Sequence, residues 1–310
     1  MARGMKRHAD PVDGLLLLNK PSGMTSNRAL QVVRRMLNAQ KAGHTGSLDP
    51  AATGMLPLCF GEATKVCAYL LDADKSYRVT AKLGSATNTG DADGQETETA
   101  SVPELAEERW NEILQGFCGD TTQIPPMFSA LKKDGKRLYE LARKGEVVER
   151  EPRPIRIHEI SLLELAGNRL VFRVSCSKGT YIRVLVEDIA RKAGTIAHTA
   201  RLHRESVGDF EGAEMLDMVA LEALAEKGLE PLRAELLDAD VALAMLPAVT
   251  ISAEDALKFC GGQAVAADAE GQTGLARVYA ASKRFLGVGE LAVEGMLAPR
   301  RVFQTQEKTP

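Results

Sequence analysis

Apolar and polar positions change rhythm several times along the 310 residues, and each change marks an element. Residues 13–39, DGLLLLNKPSGMTSNRALQVVRRMLNA, begin with an apolar run that reads as a strand and stops at Lys20-Pro21-Ser22-Gly23. Ala29, Val32, Val33, Met36 and Leu37 then recur at helical spacing and predict an amphipathic helix. A short strand over 55–60 and a helix within EATKVCAYLLDAD follow, and KSYRVTAKLG alternates as a half-buried strand. TGDADGQETETA reads as an acidic loop, and SVPELAEERWNEILQGFCG as a helix with Pro103 near its start and Gly119 past its end.

The stretch from 124 onward, IPPMFSALKKDGKRLYELARKGEVVEREPRPIRI, combines a Pro-Pro entry, an amphipathic basic helix and a Pro-rich exit. It predicts an arm clamped at both ends. Two strands (IHEISLLELA, RLVFRVSCSKG), a helix (TYIRVLVEDIARKAG) and a strand-like AHTARLHRESVGDF come next. Acidic helical segments fill 213–246, and beyond Pro247 the pattern becomes strand-rich with Gly/Pro punctuation. Strands and helices intermix without a βαβ rhythm. The expected fold class is therefore α+β, built on a mixed β-sheet, with a small β-rich terminal domain from about residue 250.

Composition adds little until charge is mapped. Hydrophobic content of 45% and charged content of 26% describe an ordinary globular chain. No apolar run approaches the ~20 residues of a membrane helix, and the N-terminus lacks a secretory apolar core. Arg3, Lys6 and Arg7 there are expected to form a mobile basic tail. The five cysteines are scattered without a C-x-x-C pair, which suits free thiols in a reducing cytoplasm. The five histidines include no i,i+4 pair, so no metal site is expected. The net charge of −3 conceals segregation. Residues 124–158 carry nine basic side chains against five acidic, and 171–205 seven against three. Residues 89–112 and 211–240 are acidic, at one against eight and two against nine. Such a chain can hold a polyanion on one face while the other keeps it soluble.

The chemistry concentrates in few places. Asp49 sits between Gly46 and Pro50, just before an apolar run, where a carboxylate is either a turn-former or a reacting group. No GxxxxGK[ST] loop occurs, and Gly287-Val288-Gly289 lacks a third glycine, so neither phosphate-loop nor dinucleotide chemistry is supported. GHTGS has threonine where a nucleophile elbow needs serine. A reaction without metal or organic cofactor is left.

Three segments taken together, LLLLNKPSGMTS, AGHTGSLDPAATGMLPLCFGEATK and CSKGTYIRVLVEDIA, closely resemble the bacterial tRNA pseudouridine-55 synthases, the TruB family. The resemblance runs from about residue 13 to the C-terminus. It implies a catalytic pseudouridine-synthase domain over 10–248 with a thumb insertion at about 124–152, and a PUA-like RNA-binding domain over 249–310. It implies an isomerase that flips uridine-55 out of the TΨC loop of tRNA, breaks its glycosidic bond and rejoins uracil through C5. Glycosidases use two carboxylates because the base departs and water enters. Here neither happens, and one ionised aspartate suffices, as nucleophile or as base at the sugar. An Asp with an ordinary value near 3.9 is ionised at neutral pH unless burial raises it.

By the same resemblance Asp49, Tyr77 and Arg183 are the catalytic residues, with Arg183 as the cationic partner of Asp49 and Tyr77 as the stacking platform. Leu202 is implied to line the uracil pocket, Tyr181 to bind substrate, and His44 to lie against the RNA. Lys20 either touches substrate or braces the Asp49 loop. Lys132, Lys133, Lys136, Arg137, Arg143 and Lys144 are implied to hold phosphates. The implied partner is tRNA, and the expected state is a cytoplasmic monomer. A synthase acting on a different RNA, or an RNA-binding protein without chemistry, are the rival readings.

Overall fold

The computed structural model of the chain describes residues 9–268 and 271–304. The basic positions Arg3, Lys6 and Arg7 lie outside the described residues, as do the last six residues of the expected terminal domain. The first stretch runs β1 (Gly14–Lys20), α1 (Ser26–Met36), β2 (Ala42–His44), β3 (Thr53–Phe60), α2 (Cys67–Asp72) and β4 (Lys75–Leu83). β5 (Ser85–Thr87), β6 (Glu96–Thr99), α3 (Glu107–Gln115) and β7 (Gly119–Gln123) follow, then β8 (Lys132–Lys133), β9 (Lys136–Arg137) and α4 (Leu138–Ala142). β10 (Arg153–Ala166), β11 (Arg169–Cys176), α5 (Ile182–Lys192), β12 (Ala197–Val207), α6 (Met218–Glu226) and α7 (Leu229–Ala234) complete the larger domain.

Eight of these strands form one mixed sheet in the order β1-β3-β12-β4-β11-β10-β7, with β2 added along β3. Its pairs are antiparallel except β3 with β12, which run parallel for only two residue pairs, Thr53–His203 and Gly54–Arg204. The close approach there requires Gly54, whose φ is +100° and where a Cβ would stand 2.2 Å from the Arg204 carbonyl. β4 alternates as its sequence requires, turning Lys75, Tyr77, Val79, Ala81 and Leu83 to the buried side. That side packs on α3 and α5 through Trp110, Ile113, Leu185, Val186 and Ile189. Each such side chain, fully buried, stabilises by about 1.5–3 kcal/mol over its exposed state. A second cluster joins α1 to β1, β3 and α6 through Leu30, Val33, Leu16, Leu56 and Leu221.

Ala248–Ile251 (β13) begins a second sheet. With β14 (Val265–Ala266), β15 (Gly274–Ala280), β16 (Phe285–Leu291) and β17 (Met296–Val302) it has the order β13-β15-β16-β17-β14, and α8 (Ala253–Cys260) packs on it. This domain is sewn to the first. Phe303 and Val288 share one buried cluster with Leu15, Val66 and Leu243. Lys65 donates to the Val302 carbonyl at 2.6 Å, and the Tyr279 hydroxyl donates to Asp240 at 2.6 Å.

Two expectations are corrected. The basic helix expected in the arm is mostly a tight hairpin: β8 and β9 flank Asp134-Gly135, both at positive φ (52° and 79°), and the helix after it spans only five residues. An Asp-Gly pair suits such a turn because both central residues must adopt positive φ. The acidic 89–100 segment is not all loop, since β6 pairs with β5. The helix expected within EATKVCAYLLDAD is α2, preceded by a 3₁₀ turn over Gly61–Val66.

Candidate active site

The loop between β2 and β3 holds Asp49, and residues 19–26, between β1 and α1, fix that loop. Ser26 exchanges two hydrogen bonds with Leu48, donating to its carbonyl at 3.1 Å and accepting from its amide at 2.8 Å. Ser22 donates to the Ala51 carbonyl at 3.1 Å, and the Gly23 amide to the Pro50 carbonyl at 2.9 Å. Lys20, fully buried, gives its ammonium protons to the carbonyls of Pro21 (2.8 Å), Met24 (2.7 Å) and Pro50 (3.2 Å). The residues on both sides of Asp49 are thus held, and its carboxylate is presented from a fixed backbone. Lys20 has no donor left and no face open to a ligand. Of the two roles read for it, the geometry fits the brace and not the substrate contact.

Arg183 meets Asp49 from the first turn of α5, Nε to Oδ2 at 3.0 Å. The guanidinium is itself fixed by the carbonyls of Thr89 (2.6 Å) and Phe128 (2.7 Å), and Asp91 stands 3.6 Å from its Nη1. The Arg183 side chain is only 6% exposed, whereas Asp49 keeps 43%, so the carboxylate remains open to a ligand while its partner is sealed. Burial pushes the Asp49 carboxyl above its ordinary value. Arg183 opposes this, Asp91 adds to it, and Lys20 pulls it back down.

Asp49 opens on a cleft of about 420 Å³ that Tyr77, Tyr181, Arg183, Leu202, Arg204, Lys75 and Leu71 line, with Ser129–Leu131 of the arm along one edge. Tyr77 comes from β4 and is 8% exposed; burial raises its phenol, and the nearby Arg204 works against that. Tyr181 precedes α5 and is locked through its backbone, its amide donating to Gln123 Oε1 at 2.7 Å and its carbonyl accepting from Gln123 Nε2 at 3.1 Å. Burial raises its phenol too.

Five of the residues expected from sequence, Asp49, Tyr77, Tyr181, Arg183 and Leu202, therefore meet around one cleft. His44 does not line it. It ends β2, half-buried, with Nδ1 lacking a partner, and burial together with Arg204 lowers its imidazole. The six arm cations Lys132, Lys133, Lys136, Arg137, Arg143 and Lys144 are all exposed, on the hairpin and just after α4. Arg137 and Arg143 both lie over the Tyr139 ring, at 5.8 and 5.5 Å.

Sequence reading missed Asp91, Lys75 and Arg204. The last two had a signal. Lys75 lies two residues before Tyr77 on β4, and Arg204 two after Leu202 on β12, so strand alternation puts each on the face of a recognised pocket residue. Among the described residues no group of three or more His, Cys, Asp or Glu side chains is placed to hold a metal ion. No helix among them is long and apolar enough to cross a membrane.

A sealed arginine paired with an accessible aspartate, beside an aromatic ring in a cleft of about 420 Å³, can present a carboxylate to a ligand stacked on that ring. The comparisons give the class. Residues 34–182 match the model of the TruB family pseudouridylate synthase N-terminal domain, and 247–303 that of the pseudouridine synthase II TruB C-terminal domain. The tRNA pseudouridine synthase B of Dechloromonas aromatica (strain RCB) is 52% identical over 300 residues, 96% of this chain and 98% of that one. That of Stutzerimonas stutzeri (strain A1501) is 48% identical over 303 residues, 97% and 99% of the two chains. Among solved structures, a chain of a Cbf5-Nop10-Gar1 complex superposes with a TM-score of 0.74 at 25% identity, covering 97% of this chain and 88% of that one. A chain of an H/ACA RNP bound to a substrate RNA containing 2'-deoxyuridine gives 0.74 at 23%, covering 99% and 90%, and shows the shared fold. The chain belongs to the TruB family of pseudouridine synthases.

Proposed function

We propose that the chain converts uridine-55 in the TΨC loop of tRNA to pseudouridine, with Asp49 acting on an everted nucleoside. The observation that carries the reading is the 3.0 Å pair of sealed Arg183 and open Asp49 at the mouth of the cleft. Its relatives' name, tRNA pseudouridine synthase B, supports tRNA as the substrate.

A stacked uridine cannot reach this carboxylate and has to be flipped out. The lost stacking, about 1–3 kcal/mol per base, is offset by the Tyr77 ring. Tyr181 and Leu202 bound the uracil. The N1–C1′ bond breaks, the uracil turns, and its C5 bonds to C1′. The hydrogen at C5 leaves as a proton while N1 gains one, so the atoms balance without an added oxidant or reductant. Asp49 serves as the nucleophile at C1′ or the base at C2′, and both roles need its ionised form. Arg183 keeps that form available against burial. The exposed cations of the arm hold phosphates, and the terminal β-rich domain extends the grip. The enzyme works as a cytoplasmic monomer.

The test uses tRNA transcript labelled with tritium at C5 of uridine. Release is expected from wild-type protein on a transcript with U55, and from neither Asp49→Asn nor a U55→C transcript. Equal release by Asp49→Asn removes the aspartate from the mechanism, and equal release from the U55→C transcript removes the site assignment.

A further inference from the structure

Among the described residues, Arg204 is the one cleft-lining cation that neither pairs with Asp49 nor caps a helix. It is 1% exposed, yet it lines the cleft alongside Tyr77, Leu202 and Asp49. Its backbone stands directly across from Tyr77 in the register of β12 against β4, so the two side chains rise from facing positions on neighbouring strands. The guanidinium is aimed by its other donors. Nε donates to the Met55 carbonyl at 2.7 Å and Nη2 reaches the Gly46 carbonyl at 3.4 Å. Its side chain borders the same cleft as the Tyr77 ring, from the facing position on the neighbouring strand. Burying a full charge this deeply is costly unless it is hydrogen-bonded, and the Met55 and Gly46 carbonyls occupy only part of the guanidinium fork.

The use follows from what the last chemical step requires. Once C5 is bonded to C1′ it still carries its hydrogen, and a base within the cleft has to remove it. The charged and titratable groups around Tyr77 are Arg204 on β12, Cys176 on β11, Asp49 on its loop and, in the same cleft, Lys75, Arg183 and Tyr181. Burial is the main influence and disfavours a negative oxygen on Tyr77; Arg204 works against it, while Asp49 and Cys176 add to it.

We propose that Arg204 is a positioning residue for the closing proton transfer, its guanidinium orienting the Tyr77 oxygen and stabilising the phenolate that takes the C5 proton. This rests on the reading of the cleft as a pseudouridine synthase site. In the step, the C5–H bond breaks and its proton bonds to the Tyr77 oxygen. The electron pair left behind restores the conjugated pyrimidine ring, and Tyr77 later returns the proton to solvent. Arg204 stays protonated throughout and touches the reaction only through Tyr77.

The test is single-turnover conversion of tRNA transcripts carrying hydrogen or deuterium at C5 of uridine, by the full chain, with RNA binding and thermal unfolding measured in parallel. Loss of a hydrogen bond to a charged group predicts that Arg204→Gln slows conversion by about 10- to 100-fold. The deuterium isotope effect should rise above the wild-type value, because proton removal becomes limiting. Arg204→Lys should restore much of the rate and lower the isotope effect again; if Arg204→Gln does not fold, Arg204→Lys against wild type gives the same reading at smaller amplitude. Slower conversion with an unchanged isotope effect in both variants overturns the proposal and leaves Arg204 as scaffold. Wild-type protein that releases no C5 hydrogen from tRNA at all overturns the functional reading itself.

Discussion

Lys20 donates to the carbonyl of Pro50 at 3.2 Å, tying the end of β1 to the residue that follows Asp49. The loop that carries Asp49 is thereby held by a fully buried ammonium. Removing it should loosen the loop without emptying the cleft. Lys20→Met leaves three carbonyls without their donor and should cost about 1–3 kcal/mol in urea unfolding. It should also lower kcat more than it raises KM.

The same lysine gives a pH signature. Burial lowers its ammonium from 10.5 to about 8, with Asp49 pulling the other way. Between those two values the unfolded chain holds a proton that the folded chain has released. The Lys20 contribution to stability therefore rises with pH across that window. The difference in urea midpoint between wild type and Lys20→Met should move in favour of wild type from about pH 8 upward.

Asp49 has the opposite sign. Its carboxyl is raised above the ordinary 3.8, chiefly by burial and against the pull of Arg183. A carboxyl raised on folding stabilises most when protonated, and that stability is lost as pH climbs through the folded value. Asp49→Asn should therefore melt at a higher temperature than wild type at neutral pH while losing at least about 10²-fold in rate. Arg183→Gln removes the group that holds the carboxyl down. The acid limb of its kcat/KM profile should shift to higher pH than that of wild type.

Gly54 and Arg204 touch backbone to backbone. A Cβ at residue 54 would lie 2.2 Å from the Arg204 carbonyl oxygen and 2.7 Å from its nitrogen, and φ is +100°. Gly54→Ala should cost about 1–3 kcal/mol through backbone strain. Because the clash falls on the residue beneath Tyr77, activity should drop more than the stability loss alone explains, as single-turnover rates at a temperature well below the melt will show.

The hairpin in the arm carries its cations on a turn that needs glycine. Gly135 has φ +79° and Asp134 +52°. Gly135→Val should disorder Lys133 and Lys136 without touching the cleft, weakening RNA binding in filter assays. Replacing Lys132, Lys133, Lys136, Arg137, Arg143 or Lys144 singly by Gln should reduce the slope of log affinity against log salt by about 1 for each true phosphate contact.

Much of the site could be read before folding because motif residues carry their chemistry openly. Asp49 between Gly46 and Pro50, and Tyr181 with Arg183 at the head of a helix, sit where the sequence places them. Arg204 carried only its strand alternation with Leu202 as a local signal, and Asp91 none, for a common reason. Each acquires its role from partners far along the chain, Met55 and Gly46 for one and Arg183 for the other. Local charge counts treat both as surface. The arm was misread because its basic residues suggested a helix, although Lys-Asp-Gly-Lys contains the strongest short hairpin signal. Alternation in β4 made that strand readable, but no local pattern specifies its pairing with β11.

Phe303 belongs to the core of the larger domain as much as to its own. It lies 4.9 Å from Phe285, under Lys65 at 5.7 Å, and in the cluster that holds Leu15 and Val66. The C-terminal module is consequently no detachable handle. Cutting the chain before β13 would lay bare an apolar seam and invite self-association, so grafting a different RNA-binding module here demands redesign of the joint as well as the linker.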